Sequence, residues 1–532
     1  MKTNPSMSIA SAPPSNATVL QRVWAIFGVA ALGILLLAAF NVDFPNKTWW
    51  FTGSLITLTL SIILYSYEAY RHHPPGIKNN QVWQKSLTNR GLWGWLLGIG
   101  ITFFYIILYF YPQFLGLNNE GENTGIIGFF DPLSQILSGN PASQWFVYGT
   151  LYTIAILAFG IKFLWKYRHN PYERIRTFSV MFFQTGFAFL IPELMARLNS
   201  DSFSLPYYDL KNIWPLNYYN FEQYRVDSFI SAGDIGIALL VFGIISILVI
   251  TPILTYYYGK RWYCSWVCGC GGLAETAGDP FRQLSDNSLF AWKVERWVVH
   301  SVLVFSVLMT TAVIHSYLGY DAEKYWLNKD VFLLLVAGLL TLVFALVWIF
   351  KKQELKKDAR YGAIGYFSII SGLIVLHYLT GSNVFLFQAE SLRSWYAFLI
   401  GAVFSGVIGT GFYPIFGNRV WCRFGCPMAA ILGLQQRLFS RFRITTNGGQ
   451  CISCGNCSTY CEMGIDVRAY AQKGENIVRA SCVGCGICSA VCPRGVLKLE
   501  NGPLEGRINS DAVLTGNDLD LLDLIKEEKT SE

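Results

Sequence analysis

Ten apolar stretches alternate with polar segments along this chain. They run over about 23–40, 49–67, 92–111, 145–165, 177–196, 233–257, 297–317, 331–350, 361–380 and 395–415. A helix needs roughly 18 or more apolar residues to cover the hydrocarbon core, so each predicts a membrane span. The fifth, SVMFFQTGFAFLIPELMA, carries Pro192 and Glu193 near its end, which predicts an early exit or a kink. After the tenth span the chain turns polar. The expected class is mostly α: a polytopic membrane bundle of about ten spans with a small polar C-terminal domain.

The polar gaps give an orientation. Arg71, Lys78, Lys85 and Arg90 follow the second span; Lys166, Arg168, Arg174 and Arg176 follow the fourth. Lys260, Arg261 and Arg282 follow the sixth, and Lys351, Lys352, Lys356, Lys357 and Arg360 follow the eighth, whereas odd-numbered exits such as GLNNEGENTG are poor in cations. The positive-inside rule makes the even exits and both termini cytoplasmic. The first apolar run is longer than a signal-peptide core and follows about twenty polar residues, so it reads as an uncleaved anchor.

Composition fits this picture. The chain of 532 residues is 53% hydrophobic and 14% charged, against about a quarter charged in soluble proteins. Its net charge of +7 comes from cations facing anionic lipid and gives no reason to expect nucleic acid.

Chemistry enters with the cysteines. Eight of 13 lie between residues 451 and 492, as CISCGNCSTYC and CVGCGICSAVCP, which is C-x2-C-x2-C-x3-C twice. That is the run of a ferredoxin holding two [4Fe-4S] clusters, in which the fourth cysteine of each run ligates the other cluster. Cys451, Cys454, Cys457 and Cys492 are therefore expected to hold one cluster, and Cys482, Cys485, Cys488 and Cys461 the other. Zinc sites do not repeat such a four-cysteine run, and a reducing cytoplasm disfavours disulfides. Pro493 follows the second run, while Glu462 stands at the equivalent place after the first. The C-terminal domain is thus expected to be an α+β 2[4Fe-4S] ferredoxin-like unit.

The other five cysteines lie in an internal repeat. GKRWYCSWVCGC, from Gly259, aligns with GNRVWCRFGCPM, from Gly417, so that Arg261 matches Arg419, Cys264 matches Cys422 and Cys268 matches Cys426. Each copy follows a long apolar span, where its arginines are expected to anchor helix ends to headgroups.

A long span and then G-x-R-x-x-C-x-x-x-C-P, present twice and followed by a dicluster ferredoxin, resembles the membrane polyferredoxins of the NapH, NosR and CcoG types. The resemblance covers chiefly residues 230–495. It implies electron transfer at the cytoplasmic membrane: quinol oxidation for a periplasmic reductase, support of a copper enzyme, or copper reduction for oxidase assembly. The first copy departs from the pattern, with Cys268-Gly269-Cys270 adding a fifth thiol where the family has Cys-Pro.

A helical C-x3-C would put both thiols on one face. If the repeats pack together, Cys264, Cys268, Cys422 and Cys426 could converge into a membrane-edge thiolate site for copper, zinc or an iron–sulfur centre, with Cys270 beside them. His315 and His377 could flank a b haem, although ordinary polar contact between helices is the simpler reading; His300 has no evident partner. Glu193 is a candidate for proton transfer. The segment LPYYDLKNIWPLNYYNFEQY reads as an outer interfacial loop, and DLDLLDLIKEEK as part of an acidic tail.

The expected organisation is a cytoplasmic segment (1–22), N-terminal spans (23–200), an outer loop (201–232), a membrane domain with the two repeats (233–440), a dicluster domain (441–502) and an acidic tail (503–532). The expected function is electron transfer in a bacterial inner membrane between the cytoplasmic clusters and a quinone or partner redox complex, with the protein possible as the electron-transfer subunit of a quinol-linked oxidoreductase. Copper reduction, metal-enzyme maturation and redox sensing are the alternatives.

Overall fold

A computed structural model describes residues 17–71, 85–118, 121–199, 204–321, 323–353, 355, 357–380, 388–447, 450–501, 514–515 and 519–520. Lys78, Lys356, the chain before residue 17 and most of the tail lie outside the described residues.

Among the described residues, ten helices are long and apolar enough to cross a membrane: Val19–Ala39, Lys47–Arg71, Leu92–Phe110, Gln144–Lys166, Pro171–Arg197, Gly233–Tyr258, Leu289–Tyr320, Lys329–Lys351, Ala359–Thr380 and Ala389–Gly411. The chain is a multi-pass membrane protein. Local sequence fixes several helix starts. Thr18 and Gln21 form a reciprocal capping box on the first span, with Thr18 Oγ1 accepting from the Gln21 amide at 3.2 Å. Ser143, Ser288 and Asn328 cap the fourth, seventh and eighth, and Asn170 caps the fifth with Pro171 in its first position.

The fifth span does not exit early at Pro192. It continues to Arg197 through a widened π-type stretch at Phe183–Leu190, which accommodates the missing proline amide. The sixth span uses the same device at Ser246–Ile250, ahead of Pro252. A short helix, Gly125–Leu137, was not evident from the sequence; it buries Ile127 and Phe130 against the first two spans.

Among the described residues, three segments fold back among the spans. The first is the one expected to lie as an interfacial loop. Residues 204–222 instead enter the bundle: Trp214 Nε1 donates to Thr310 Oγ1 in the seventh span (2.9 Å), and Tyr263 Oη donates to the Lys211 carbonyl (3.0 Å). Such backbone is tolerated away from water when protein groups satisfy it. Here Asp209 accepts from the Lys211 amide (3.1 Å) and Asn212 Nδ2 (2.7 Å), and Asn217 Nδ2 donates to the Asn212 carbonyl (2.5 Å).

The other two follow the sixth and tenth spans and carry the repeated cysteines. In each copy the glycine of Gly-x-Arg reverses the chain with positive φ, 66° at Gly259 and 91° at Gly417. A short turn then leads into a helix, Gly269–Thr276 or Pro427–Phe439.

The C-terminal domain pairs β1 (Arg443–Thr446) antiparallel to β2 (Leu497–Glu500), with Arg443 opposite Glu500. Its two cysteine runs each turn at a glycine with positive φ, Gly455 at 78° and Gly486 at 88°, into the short helices Asn456–Thr459 and Ile487–Ala490. Only glycine adopts these conformations without strain.

At Gly417 a side chain would meet both the left-handed backbone and Ser285, whose amide nitrogen lies 2.9 Å from a Cβ placed there. Gly417→Ala is expected to destabilise the protein by about 1–3 kcal/mol, read as a lower melting temperature in detergent and lower yield. An unchanged melt would show that this turn is not constrained.

Candidate functional site

Cys264, Cys268, Cys422 and Cys426 are all buried in one cluster. The charge of each bears on the others: Cys264 on Cys422 and Cys268, and Cys426 on Cys422, Cys264 and Cys268. The two repeats therefore bring their four thiols together, and no cysteine pair forms a disulfide among the described residues.

The local geometry differs from one continuous helix. Arg261–Cys264 is a single turn, and Cys268 is extended at the start of the next helix; Cys426 is likewise extended, after the wide turn Trp421–Gly425. The Cys268 amide donates to the Tyr263 carbonyl (2.8 Å) and the Cys426 amide to the Trp421 carbonyl (2.9 Å), the same five-residue closure in both copies. The turn, rather than i,i+4 stacking, brings each pair together. Cys270 lies in electrostatic range of Tyr105, Tyr148 and Tyr152 of the third and fourth spans.

Burial pushes the Cys264 thiol up to about 12, with Lys260 and Arg419 working against the rise. Cys268 is lowered instead, by its hydrogen bond with Cys270 and by Lys211, which the re-entrant loop delivers to this site. Gly269 explains the missing proline of the first copy. A Cβ there would strike Gln184, lie 3.0 Å from Lys211 Nζ and come 3.3 Å from the Tyr152 ring.

The repeat arginines do not reach headgroups. Arg261, Arg419 and Arg423 are buried, and Arg419 is fully so. Arg419 Nη1 donates to the Cys264 carbonyl (3.1 Å) and lies 3.6 Å from Cys422 Sγ; its Nη2 bonds Glu275 (2.5 Å). Arg419 Nε also lies 3.1 Å from Glu462, which accepts from Arg282 Nη1 at 2.7 Å. Burial opposes a charged Glu462, yet Arg419 and Arg282 overcome it and hold the carboxyl below its ordinary value. Arg176 joins Glu275 and Glu173, and Asp279 binds Arg282 (3.0 Å), Lys166 (3.0 Å) and Lys162 (3.3 Å). The sequence hinted at this network through Lys162 and Lys166, spaced one turn apart within an apolar run.

In the dicluster domain, Cys451, Cys454, Cys457 and Cys492 line one cavity, with Arg468 and Arg494 beside them and no carboxylate in its wall. Cys457 interacts electrostatically with the other three, and Cys488 with Cys482 and Cys461 and also with Cys457 of the first set. Cys492 of the second run thus joins three cysteines of the first around one cavity, and the all-sulfur donor set suits a 4Fe-4S cluster. Burial pushes Cys457 and Cys461 up to about 12, so a bound metal's positive charge is needed to favour the thiolates. Cys454 is exposed, while Cys482 and Cys488 are buried. The second run faces the membrane domain: Tyr172 Oη donates to the Gly484 carbonyl (2.7 Å), Ser265 Oγ to Val483 (2.8 Å) and Gln436 Nε2 to Cys482 (2.9 Å).

His315 and His377 meet edge to face with Nε2 atoms 3.3 Å apart, a direct polar contact between helices. His300 turns back onto the Arg296 carbonyl of its own helix. Glu193 is buried.

Comparisons with known proteins follow the same lines. The family model for a 4Fe-4S dicluster domain matches residues 450–497, and that for a 4Fe-4S binding domain matches twice, at 240–287 and 396–445. The chain carries 4Fe-4S ferredoxin-type domains. The paired match falls on both copies of the Gly-x-Arg-x-x-Cys repeat. Over 114 residues the chain is 26% identical to "Putative electron transport protein YccM" of Escherichia coli (strain K12), covering 21% of this chain and 32% of that protein. The matched region thus spans about a third of that relative's length. No solved structure gives a significant match. These matches reach the iron–sulfur level and do not separate the NapH, NosR and CcoG types.

Cys454→Ser is expected to lower the iron of the dicluster domain from about eight to about four per anaerobically purified chain and to remove one reduced-cluster EPR signal. Unchanged iron and EPR would take Cys454 out of the ligand set.

Proposed function

We propose that this protein passes electrons one at a time between a dicluster domain at one face of the membrane and a quinone or partner redox complex, by way of the four-thiol site. The observation that carries the reading is the convergence of Cys264, Cys268, Cys422 and Cys426 directly under the buried side of the dicluster domain. A 4Fe-4S cluster, when bound, takes up and releases single electrons.

The rest of the work falls to the chain. Exposed Cys454 marks the outer set, from Cys451 to Cys492, as the side open to a soluble partner. The set of Cys482, Cys485, Cys488 and Cys461 is packed on the membrane domain, and the repeat thiols lie beyond it beside the intramembrane tyrosines. Burial keeps water from Cys264, Cys268, Cys422 and Cys426, and Arg419 supplies positive charge where sulfur would carry negative charge. The dicluster domain belongs on the cytoplasmic side in this reading. Arg176, Lys260, Arg261 and Arg282, all from cation-rich exits, meet it or its supporting network at one end of the bundle. The name of the E. coli relative agrees with electron transport.

Cys270 favours a second reading, metal handling, because it adds a fifth thiol hydrogen-bonded to Cys268. One experiment separates the two. Anaerobic protein is mixed with a quinol analogue and followed by EPR, as wild type and as Cys264→Ala with Cys422→Ala. Electron transfer predicts cluster reduction in the wild type and at least about a hundredfold slower reduction in the variant, with dithionite still reducing both. Equal reduction by a soluble donor and none by quinol in either form would contradict the quinol route and favour metal handling.

A further inference from the structure

Ferredoxin-type runs such as Cys482 to Cys492 end in Cys-Pro here, but the first run ends in Cys461-Glu462. A carboxylate at that place is fully buried, at 1% exposure, and needs a reason. Apart from Cys485, the side-chain partners of this carboxylate come from outside the dicluster domain. Arg282 belongs to the segment after the first repeat, and Asn418 and Arg419 belong to the second repeat; Asn418 Nδ2 donates to Glu462 at 3.2 Å. The Glu462 backbone is held as well, its carbonyl accepting from Ser285 Oγ at 2.8 Å. Arg419 in turn touches Cys422 Sγ and the Cys264 carbonyl. On the other side, Cys485 Sγ and carboxylate oxygens of Glu462 and Glu275 lie within 4.8 Å of one another.

We propose that Glu462 is the positioning residue that docks the dicluster domain on the four-thiol site, binding one arginine from each half of the repeat region so that Arg419 lies between Cys485 and Cys422. Proline in this place offers no charge to either arginine. The inference rests on the electron-transfer reading for its purpose, while its geometry and its test stand apart from quinol chemistry.

The test uses the full chain, purified anaerobically, as wild type, Glu462→Gln, Glu462→Asp and Arg419→Gln. Two quantities are read beside iron content: the rate at which trypsin releases the dicluster domain from the membrane-embedded part, and the cluster midpoint potentials from EPR redox titration. Glu462→Gln is expected to keep its iron, to be released about tenfold faster, and to raise the potential of the cluster nearer Glu462, because a negative charge has been removed. Glu462→Asp should restore most of the protection. Arg419→Gln, which alters none of the eight cysteines, should also speed release but lower that potential, because a positive charge has been removed.

Unchanged release and unchanged potentials in both Gln variants would overturn the proposal. So would loss of the folded membrane domain in either variant, since that would make the residues general folding determinants. If Glu462→Gln loses iron because it adjoins Cys461, Arg419→Gln decides: fast release with a lowered potential supports docking, and wild-type behaviour overturns it. Failure of quinol to reduce the wild type would defeat the functional reading and leave these outcomes intact.

Discussion

The fold is organised around a buried set of charges between the dicluster domain and the bundle. Glu462, Glu275, Glu173 and Asp279 meet Arg419, Arg282, Arg176, Lys166 and Lys162, and all nine are nearly or fully inaccessible. Desolvating so many ions is costly, and a buried pair gives little net stability over an apolar contact. Removing one partner, however, typically costs about 3–5 kcal/mol because it strands the other charge. The network therefore acts through specificity: an arrangement that separates Glu462 from Arg282 and Arg419 leaves charges unpaired, which selects one register between the two domains. Everything nearer the thiols depends on that register, since Arg419 contacts Cys264 and Cys422 through the same guanidinium.

Much of this was legible in the sequence. Span positions follow from continuous apolar runs, and the expected grouping of eight cysteines follows from spacing, because three sulfurs at every third residue and a distant fourth can enclose one centre. The alignment of Cys264 with Cys422 and of Cys268 with Cys426 carried the convergence of four thiols. The means of convergence was not visible. A five-residue closure to Cys268 and Cys426 depends on backbone bonds that side-chain periodicity does not encode. The re-entrant loop around Lys211 looks interfacial in sequence for a related reason: tyrosine and tryptophan suit headgroups and also suit a protein interior where their polar ends find partners, as Trp214 does on Thr310.

The two departures from the repeated patterns have local explanations. Gly269 stands where the second copy has Pro427 because Gln184, Lys211 and Tyr152 crowd that position. Glu462 stands where the second run has Pro493 because two arginines await it. In both places the packing of one domain against its neighbour outweighs the local preference of a cysteine loop. The repeat is therefore symmetric in its thiols and asymmetric around them, with Cys270, Lys211 and the tyrosines on one side and the dicluster domain on the other.

The most direct test is whether the two repeats share one thiol site. In a chain lacking Cys268, Cys270 and Cys426, with a protease site placed in residues 381–387, Cys264 and Cys422 are the remaining repeat thiols. Mild oxidation or a short bis-maleimide, followed by cleavage, should leave the two fragments covalently joined. Joining should be lost when either thiol is replaced by serine. Fragments that separate fully under both reagents would contradict the convergence of the repeats, and with it the proposed path from the dicluster domain into the membrane.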